Sequence, residues 1–280
     1  MKCIGIEANS EFCKTAKEMN PNALILNEFV TTDSIQKIHD LINIHASGAA
    51  AIISLHGCGN LQKVLLQIKA SINSSKLPLL FTLGCCYHKR TYNYCRGEII
   101  INNNEWGISE TIKKKLQNSC LFLQTCALRL GCDRGLQQWI QQTPEQFEAH
   151  KNAVFNRAVI ETVFFSESEA ASTTSTKRNT NRNLDNNNLI STICDKHNVH
   201  PNERLKKEEE LKKSFEKYSN FKNIIQPFSM LQSAIQYPME TLILLDSAYF
   251  LKENNQPAHF QALFDVLQSP RNMCLISLNV

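Results

Sequence analysis

The first 85 residues alternate short apolar runs with amphipathic stretches. Runs such as KCIGI and AAAIISL predict buried strands, whereas LQKVLLQIKASI places its apolar residues on one helical face. Strands that alternate with helices form a parallel sheet with crossover helices, so this region predicts a doubly wound α/β sheet. The predicted strands are 2–6, 23–26, 49–55 and 77–83, and the predicted helices are 11–19 (capped by Ser10), 34–45 and 61–72.

The remainder of the chain predicts a helical middle, an insertion and a closing hairpin. TPEQ (143–146) carries the residue types of a capping box with proline at the first helical position. Segment 166–200 is rich in Ser, Thr and Asn and poor in core residues, so it predicts a flexible low-complexity insertion. The last apolar segments flank DVLQSPRN and predict an antiparallel hairpin. Residues 1–165 are therefore predicted to form an α/β core with a helical extension, and 201–280 to complete the same domain.

The composition is that of an ordinary globular protein. The 280 residues are 42% hydrophobic and 20% charged, and a formal net charge of +4 is too small to indicate nucleic-acid binding by itself. Eleven cysteines follow an N-terminus without a basic-then-apolar leader, which predicts reduced thiols in an intracellular protein, cytoplasmic or nuclear. The apolar runs are too short to span a membrane, so no membrane partner is expected, and the oligomeric state stays open.

Two acidic residues follow the first two predicted strands. Glu7 lies between a strand and a helix, where the acidic side chain of a nucleotide-binding sheet accepts hydrogen bonds from ribose hydroxyls. Glu28 follows the second strand and is a candidate for contact with the edge of an adenine. Either residue alone is more often an ordinary exposed carboxylate. Their order along the chain is what favours a cofactor site.

Two short motifs end the third and fourth predicted strands: HGCGN at 56–60 and GCCYH at 84–88. Adjacent parallel strands end at the same edge of a sheet, so the two motifs are expected to be neighbours in the cleft of the fold. The glycines of HGCGN allow backbone to approach a ligand closely, although a glycine-rich turn capped by Asn60 explains that motif equally well.

A zinc site is the alternative use of these motifs, because Cys58, Cys85, Cys86, His88 and Cys95 are ligand types that zinc accepts. Neighbouring residues of a strand point to opposite faces, and this region has no CxxC pair. We therefore expect no metal here.

Several separated segments resemble one known family. ISLHGCGNL with LFTLGCCYHK, FNRAVIETVF, and PMETLILLDSAYFLKENN with LFDVLQSPRNMCLISL are similar to segments of the methyltransferase-like protein 25 family, in the same order. The resemblance covers nearly the whole chain apart from 166–200. The HGCG and CCYH pair is also similar, more distantly, to motifs of a tRNA 2′-O-methyltransferase family.

The resemblance implies a class I methyltransferase, with a Rossmann-like sheet and S-adenosylmethionine lying across the strand ends. It places Glu7 on the ribose and Glu28 with Phe29 at the adenine. The full set of cofactor-binding residues that it implies is Glu7, Glu28, Phe29, His56, Cys58 and Gly59. The implied acceptor-binding residues are Cys85, Cys86 and Tyr87, and the implied catalytic residues are Asn60, His56 and Tyr87. The acceptor is expected to be RNA or protein.

Two departures from the family pattern change these expectations. Asn60 stands where the family commonly has Asp, so a general-base role loses its charged group. The chain also lacks the N-terminal strand and glycine-rich turn that hold the cofactor in this fold, which favours an incomplete gene model or a shortened isoform and predicts weak or absent cofactor binding. Strands 2–6 and 49–55 must then pair directly, leave a gap or borrow a strand. A catalytically silent methyltransferase-fold binding module is the alternative function.

Overall fold

The computed structural model describes residues 2–95, 98–102, 106–117, 119, 123–133, 135–164 and 186–279. The chain divides into two compact units, Met1–Gln137 with Ser233–Val280, and Gln138–Gln232. The limits of these units are not the predicted limits at 165 and 200. None of the described helices combines the length and the apolar character that a membrane crossing requires.

The order of elements confirms the α/β class. The strands are β1 (Ile4–Glu7), β2 (Leu24–Asn27), β3 (Ala51–Cys58), β4 (Leu79–Cys85), β5 (Tyr92–Cys95), β6 (Glu98–Ile101), β7 (His259–Ala262) and β8 (Met273–Leu278). The helices are α1 (Ser10–Met19), α2 (Ser34–His45), α3 (Asn60–Ser71), α4 (Glu110–Gln117), α5 (Thr125–Leu130), α6 (Leu136–Ile140), α7 (Pro144–Phe164), α8 (Asn186–Lys196), α9 (Pro201–Lys217) and α10 (Ile225–Glu253). Short 3₁₀ helices occupy Tyr87–Thr91 and Ser219–Ile224.

The first unit contains a four-stranded mixed sheet of order β3-β4-β8-β7. β3 and β4 are parallel, β8 runs antiparallel to β4, and β7 runs antiparallel to β8, which confirms the predicted closing hairpin. β1 and β2 form a separate parallel pair, and no ladder joins β1 to β3 in the described ranges. The first and third strands were expected to pair directly, to leave a gap or to borrow a strand. The described residues show a gap between β1 and β3.

Packing of α3 on the sheet forms the main core of the first unit. α3 buries Val64, Leu66 and Ile68, and the same cluster contains Leu80 of β4 and Leu275 of β8. Each fully buried side chain of this kind contributes roughly 1.5–3 kcal/mol. This packing fixes where β3 and β4 end.

Two helix starts test the capping signals in the sequence. Asn9, rather than Ser10, caps α1, because the Asn9 side chain accepts the backbone N–H of Glu11 at 2.8 Å while Ser10 is already helical. The capping box before α7 is confirmed. The backbone N–H of Thr143 donates to Gln146 Oε1 at 3.0 Å, and the backbone N–H of Gln146 donates to Thr143 Oγ1 at 3.3 Å.

The second unit has its own core, built from α7, α8 and α9. Its buried residues are Ile160, Val163, Leu189, Ile190, Ile193, Cys194 and Leu211. The prediction of a flexible segment over 166–200 is therefore wrong for 186–196, because residues spaced for one helical face find a core there. Residues 166–185 of the predicted insertion lie outside the described residues.

Candidate functional site

The ends of β3 and β4 lie side by side, which confirms the predicted proximity of the two motifs. Gly57 is paired with Gly84, and Cys58 with Cys85, in the parallel ladder. The backbone N–H of Gly59 then donates to the carbonyl of Cys85 at 3.1 Å. The HGCGN and GCCYH motifs thus form one continuous edge at the start of α3.

Gly59 makes this close approach sterically feasible. Its φ of +55° is one that side-chain-bearing residues rarely adopt, and an added Cβ would lie 2.4 Å from Lys89 Cβ and 2.7 Å from the Lys89 carbonyl carbon. A residue other than glycine at this position would separate the two strand ends or displace the 3₁₀ helix that contains Lys89.

Three thiols converge at this edge. The sulfur atoms of Cys58, Cys85 and Cys86 all lie within 4.8 Å of one another, and the Cys58 and Cys85 sulfurs are 2.8 Å apart. Cys85 and Cys86 do not point to opposite faces as strand alternation predicted, because Cys86 has left the strand conformation. Its φ of 47° and ψ of 45° are left-handed, so strand alternation ends at Cys85.

The thiols differ in their affinity for a proton. The hydrogen bond from Cys85, with further contributions from Cys86, Lys89 and His56, lowers the pKa of Cys58 from 9.0 to about 6 against the opposing effect of burial. The hydrogen bond to Cys58 and burial raise the pKa of Cys85, and burial raises the pKa of Cys86. In the absence of a metal, the cluster therefore carries one thiolate at neutral pH, held by neighbouring thiols.

Tyr87 is placed differently from the implied catalytic and acceptor-binding roles. Its side chain is 1% exposed, and its hydroxyl donates to Glu240 Oε1 at 2.8 Å. Burial, together with the Glu240 carboxylate, raises the pKa of Tyr87 well above its usual value. Because the ring is enclosed and its hydroxyl is paired, Tyr87 cannot touch an acceptor without rearrangement. This placement favours a structural role, and the catalytic and acceptor-binding roles of Tyr87 stay predictions.

His56 and Asn60 stand at opposite ends of the HGCGN motif. The side chain of His56 is exposed at the end of β3. Asn60 is the first residue of α3, and its Nδ2 donates to the carbonyl of Tyr92. Asn60 Oδ1 is buried and accepts no hydrogen bond from the described residues. An unpaired buried acceptor costs stability, which makes Oδ1 the atom of this motif that most needs a donor from a ligand or water.

The residues expected to contact the ribose and the adenine lie at the end of β1 and just after β2. Glu7 uses Oε1 to accept the backbone N–H of Asn9 at 2.7 Å, and no hydrogen bond to Oε2 is formed within the described residues. Glu28 forms an ion pair with Lys37, so a contact with adenine would compete with that pair. Phe29 is 51% exposed and presents an aromatic face next to Glu28.

These residues fit S-adenosylmethionine in part. Among the described residues, the fit rests on Asn60 Oδ1, a buried acceptor without a partner, and on Glu7, the last residue of β1, which has one carboxylate oxygen uncommitted. Glu7 would bind the ribose hydroxyls, Phe29 would contact the adenine, and Asn60 would accept a donor at the strand ends. The ion pair between Lys37 and Glu28 is the feature least compatible with S-adenosylmethionine binding, because it occupies the Glu28 carboxylate.

A buried polar network behind this edge was missed by the sequence analysis. Arg90, with no exposed surface, pairs with Asp246 at 3.1 Å and donates to Gln62 and Ser247 at 2.7 and 2.6 Å. Asp246 also accepts the backbone N–H of Ile108. The available signal was a single carboxylate inside the apolar run LILLDSAYFL, because a charge there requires a buried partner.

Comparison with known proteins agrees with this arrangement. Residues 1–91 match a family model described as a methyltransferase domain, and this region contains Glu7, Glu28 and both motifs. The human protein named probable methyltransferase-like protein 25 is 26% identical over 289 residues, covering 97% of this chain and 43% of that protein. The mouse protein of the same name is 25% identical over 275 residues, covering 90% and 40%. No solved structure matches the chain.

The fold and these matches define a chain with a methyltransferase domain in its first third. Over most of its length the chain is similar to the human and mouse proteins named probable methyltransferase-like protein 25. The chain spans about two fifths of the length of the curated relatives that it matches.

Proposed function

We propose that this protein transfers a methyl group from S-adenosylmethionine to an RNA or protein acceptor. The observation that carries the proposal is the methyltransferase-domain match over 1–91, because the same stretch contains the cofactor candidates and both strand-end motifs. The sheet order and the meeting of the two motifs at one edge support it.

In this mechanism the protein acts mainly by positioning. Bound S-adenosylmethionine supplies an electrophilic methyl group, which needs an aligned acceptor and the exclusion of water rather than a covalent enzyme intermediate. Glu7 would orient the ribose, and Phe29 would contact the adenine. Asn60 accepts a hydrogen bond from a donor on the bound molecules, while Cys85 and Cys86 form the half-buried wall at which an acceptor would enter. His56, being exposed, is placed to contact the acceptor.

Cofactor binding can be tested by ligand-observed NMR, which detects even weak complexes. We expect saturation transfer from the chain to the adenine protons of S-adenosylhomocysteine. Glu7→Gln keeps an oxygen for the Asn9 N–H but loses the charge, so the apparent affinity should fall about tenfold through loss of charge-assisted hydrogen bonds. Glu11→Gln, on the first turn of the next helix, is the matched control and should bind like the wild type.

The acceptor class can be tested by following a tritiated methyl group from S-adenosylmethionine into separated RNA and protein fractions of a cell extract. The proposal expects label in one fraction, reduced by Glu7→Gln and not by Glu11→Gln. Label that is equal for the wild type and both variants would show that the incorporation does not come from this site.

A silent binding module is the second candidate, favoured by the amide at Asn60 and by the enclosed, paired Tyr87. For such a module, neither saturation transfer nor methyl incorporation is expected from the wild type, although the chain folds. Binding with no incorporation in either fraction would also favour the module as the protein's function.

A further inference from the structure

We infer that Cys58, Cys85 and Cys86 bind one soft divalent cation of the zinc class. The inference goes beyond the proposed methyl transfer and does not depend on it, because it rests on the three sulfur atoms alone. These atoms lie within 4.8 Å of one another, at the adjacent ends of two parallel strands.

The spacing of the sulfurs suits a tetrahedral metal. Zinc–sulfur bonds of about 2.3 Å at tetrahedral angles place two ligand sulfurs about 3.8 Å apart. The Cys58 and Cys85 sulfurs are 2.8 Å apart, which is closer than this ideal value, and every pair of the three lies within 4.8 Å. Small changes in side-chain torsions would complete the site without moving the strands.

The backbone around Cys86 is arranged to bring the third sulfur into the cluster. Cys86 adopts a left-handed conformation, which is unfavourable for a residue with a side chain. Such outliers gather at ligand sites, where surrounding structure holds them in place. Here the hydrogen bond from the Gly59 N–H to the Cys85 carbonyl, and the one from the Lys89 N–H to the Cys86 carbonyl at 2.8 Å, hold both sides of the cluster.

The charge balance also favours a divalent ion. Three thiolates and one divalent cation leave a net charge of −1 on the site. Lys89 lies three residues after Cys86, in the 3₁₀ helix Tyr87–Thr91, and its charge of +1 balances that remainder. All three cysteines are partly exposed, so an ion can enter from solvent.

The ligand count points to an open site. Among the described residues, three cysteines converge on this position, whereas structural zinc sites use four ligands. Three protein ligands with one remaining position for water or an acceptor group are typical of catalytic zinc. His88 does not complete the set, because its Nδ1 faces the Cys132 sulfur at 3.5 Å. The Cys95 side chain lies outside the described part.

The first test measures metal directly on the full chain. After reduction and removal of metal, cobalt(II) should bind at one equivalent and show thiolate-to-cobalt charge transfer with the intense visible bands of tetrahedral coordination. Zinc should displace it. Cys58→Ser, Cys85→Ser and Cys86→Ser should each weaken zinc binding by at least about a hundredfold, since even second-shell changes cost ten- to a hundredfold. The matched control, Cys126→Ser, removes an exposed cysteine outside the cluster and should bind like the wild type.

The second test needs no variant and so is independent of variant folding. Zinc should protect Cys58, Cys85 and Cys86 from alkylation in the wild-type chain, with the modified sites read by peptide mass spectrometry. The exposed Cys3 and Cys126 should react equally with and without zinc.

Three results would overturn the inference: octahedral cobalt spectra, unchanged alkylation in the presence of zinc, or a Cys58–Cys85 disulfide that persists after treatment of the chain with a reductant. Because these readouts are separate from methyl transfer, failure of the metal site and failure of the proposed function can be told apart.

Discussion

Two polar regions of the first unit contain residues that are close in sequence, Cys86 and Arg90. The two regions differ in which partners their polar groups have. The thiol cluster (Cys58, Cys85 and Cys86) is half-buried, and its sulfurs face one another. The buried network centred on Arg90 and Asp246 has no exposed surface and is bound on several sides. Buried charges that are paired with each other hold a fold together, whereas ligand-type groups that share protons among themselves remain available for chemistry.

The paired region shows what burial demands of a charge. Burial lowers the pKa of Arg90 and raises the pKa of Asp246, and in each case the opposite charge works against that effect. The Asp246 carboxylate also accepts the backbone N–H groups of Ile108 and Ser109 at 3.0–3.1 Å. This network anchors the segment before α4 and the 3₁₀ helix after β4 to α10, directly behind the thiol cluster.

The largest effect is expected from Asp246→Ala. The change leaves Arg90 buried without its counter-charge, so the free energy of unfolding should fall by about 3–5 kcal/mol in chemical denaturation. The matched control is Glu11→Ala, which breaks an exposed pair with Lys14 and should cost less than about 1 kcal/mol. Equal losses for the two variants would contradict the contrast between a paired interior and a solvated surface.

A glycine substitution tests whether the backbone brings the two strand ends together. Gly59→Ala requires a positive φ and places a methyl group against Lys89, so we expect a loss of about 2–3 kcal/mol in the free energy of unfolding. Gly48→Ala is the control, because a Cβ there meets nothing within 4 Å. A fully stable Gly59→Ala chain would show that the close approach of Gly59 to Lys89 is not required.

Tyr87→Phe separates a structural tyrosine from a catalytic one. Loss of the hydrogen bond to Glu240 should reduce the free energy of unfolding by about 1.5–2 kcal/mol, because the carboxylate keeps its contacts with Gln236 and Arg271. Binding of S-adenosylhomocysteine by the folded variant should match the wild type in the NMR experiment. A stable variant with reduced binding would return Tyr87 to the functional site.

The smallest effect is the pH dependence of Cys58 alkylation in the metal-free chain. With its pKa lowered to about 6, Cys58 is protonated below that pH. The rate of Cys58 alkylation should therefore rise about tenfold between one pH unit below this pKa and one pH unit above it. In the unfolded chain the same rise should occur near the ordinary value of 9.0. A lowered pKa stabilises the fold above pH 9, and that contribution is lost as the pH falls towards 6.

Cys274 provides an internal comparison for this measurement. Burial raises its pKa to about 11, and its side chain has no exposed surface, so it should stay unmodified in the folded chain across the same range. Parallel pH profiles for Cys58 and Cys274 would show that unfolding, rather than a stabilised thiolate, controls the reaction.

Local patterns in the sequence were enough to predict much of the architecture. Alternation of apolar runs and amphipathic stretches predicted β1 to β4 and α1 to α3, and the last two apolar segments predicted the antiparallel hairpin. The capping box before α7 was also correct. These features depend on contacts a few residues apart or on the side-chain period of a helix or strand, and both are written directly in the chain.

The assigned roles at the site depended on contacts that the sequence does not display. Tyr87 meets Glu240 across 153 positions, and Arg90 meets Asp246 across 156, so no local pattern indicates which polar groups are enclosed. Segment 186–196 has few apolar residues, yet these become core residues once α7 and α9 cover them. The roles of Glu7, Glu28 and Phe29 in cofactor binding stay predictions.

The sequence by itself determined that the HGCGN and GCCYH motifs would meet, because adjacent parallel strands must end at the same edge of a sheet. Only the tertiary structure decided what they form there. The left-handed turn at Cys86 reverses the alternation that strand periodicity imposes, and it exists because Gly59 and Lys89 hold the backbone on both sides. Periodicity describes a strand as far as its last residue, whereas the position of a side chain just beyond it depends on which neighbours hold the turn.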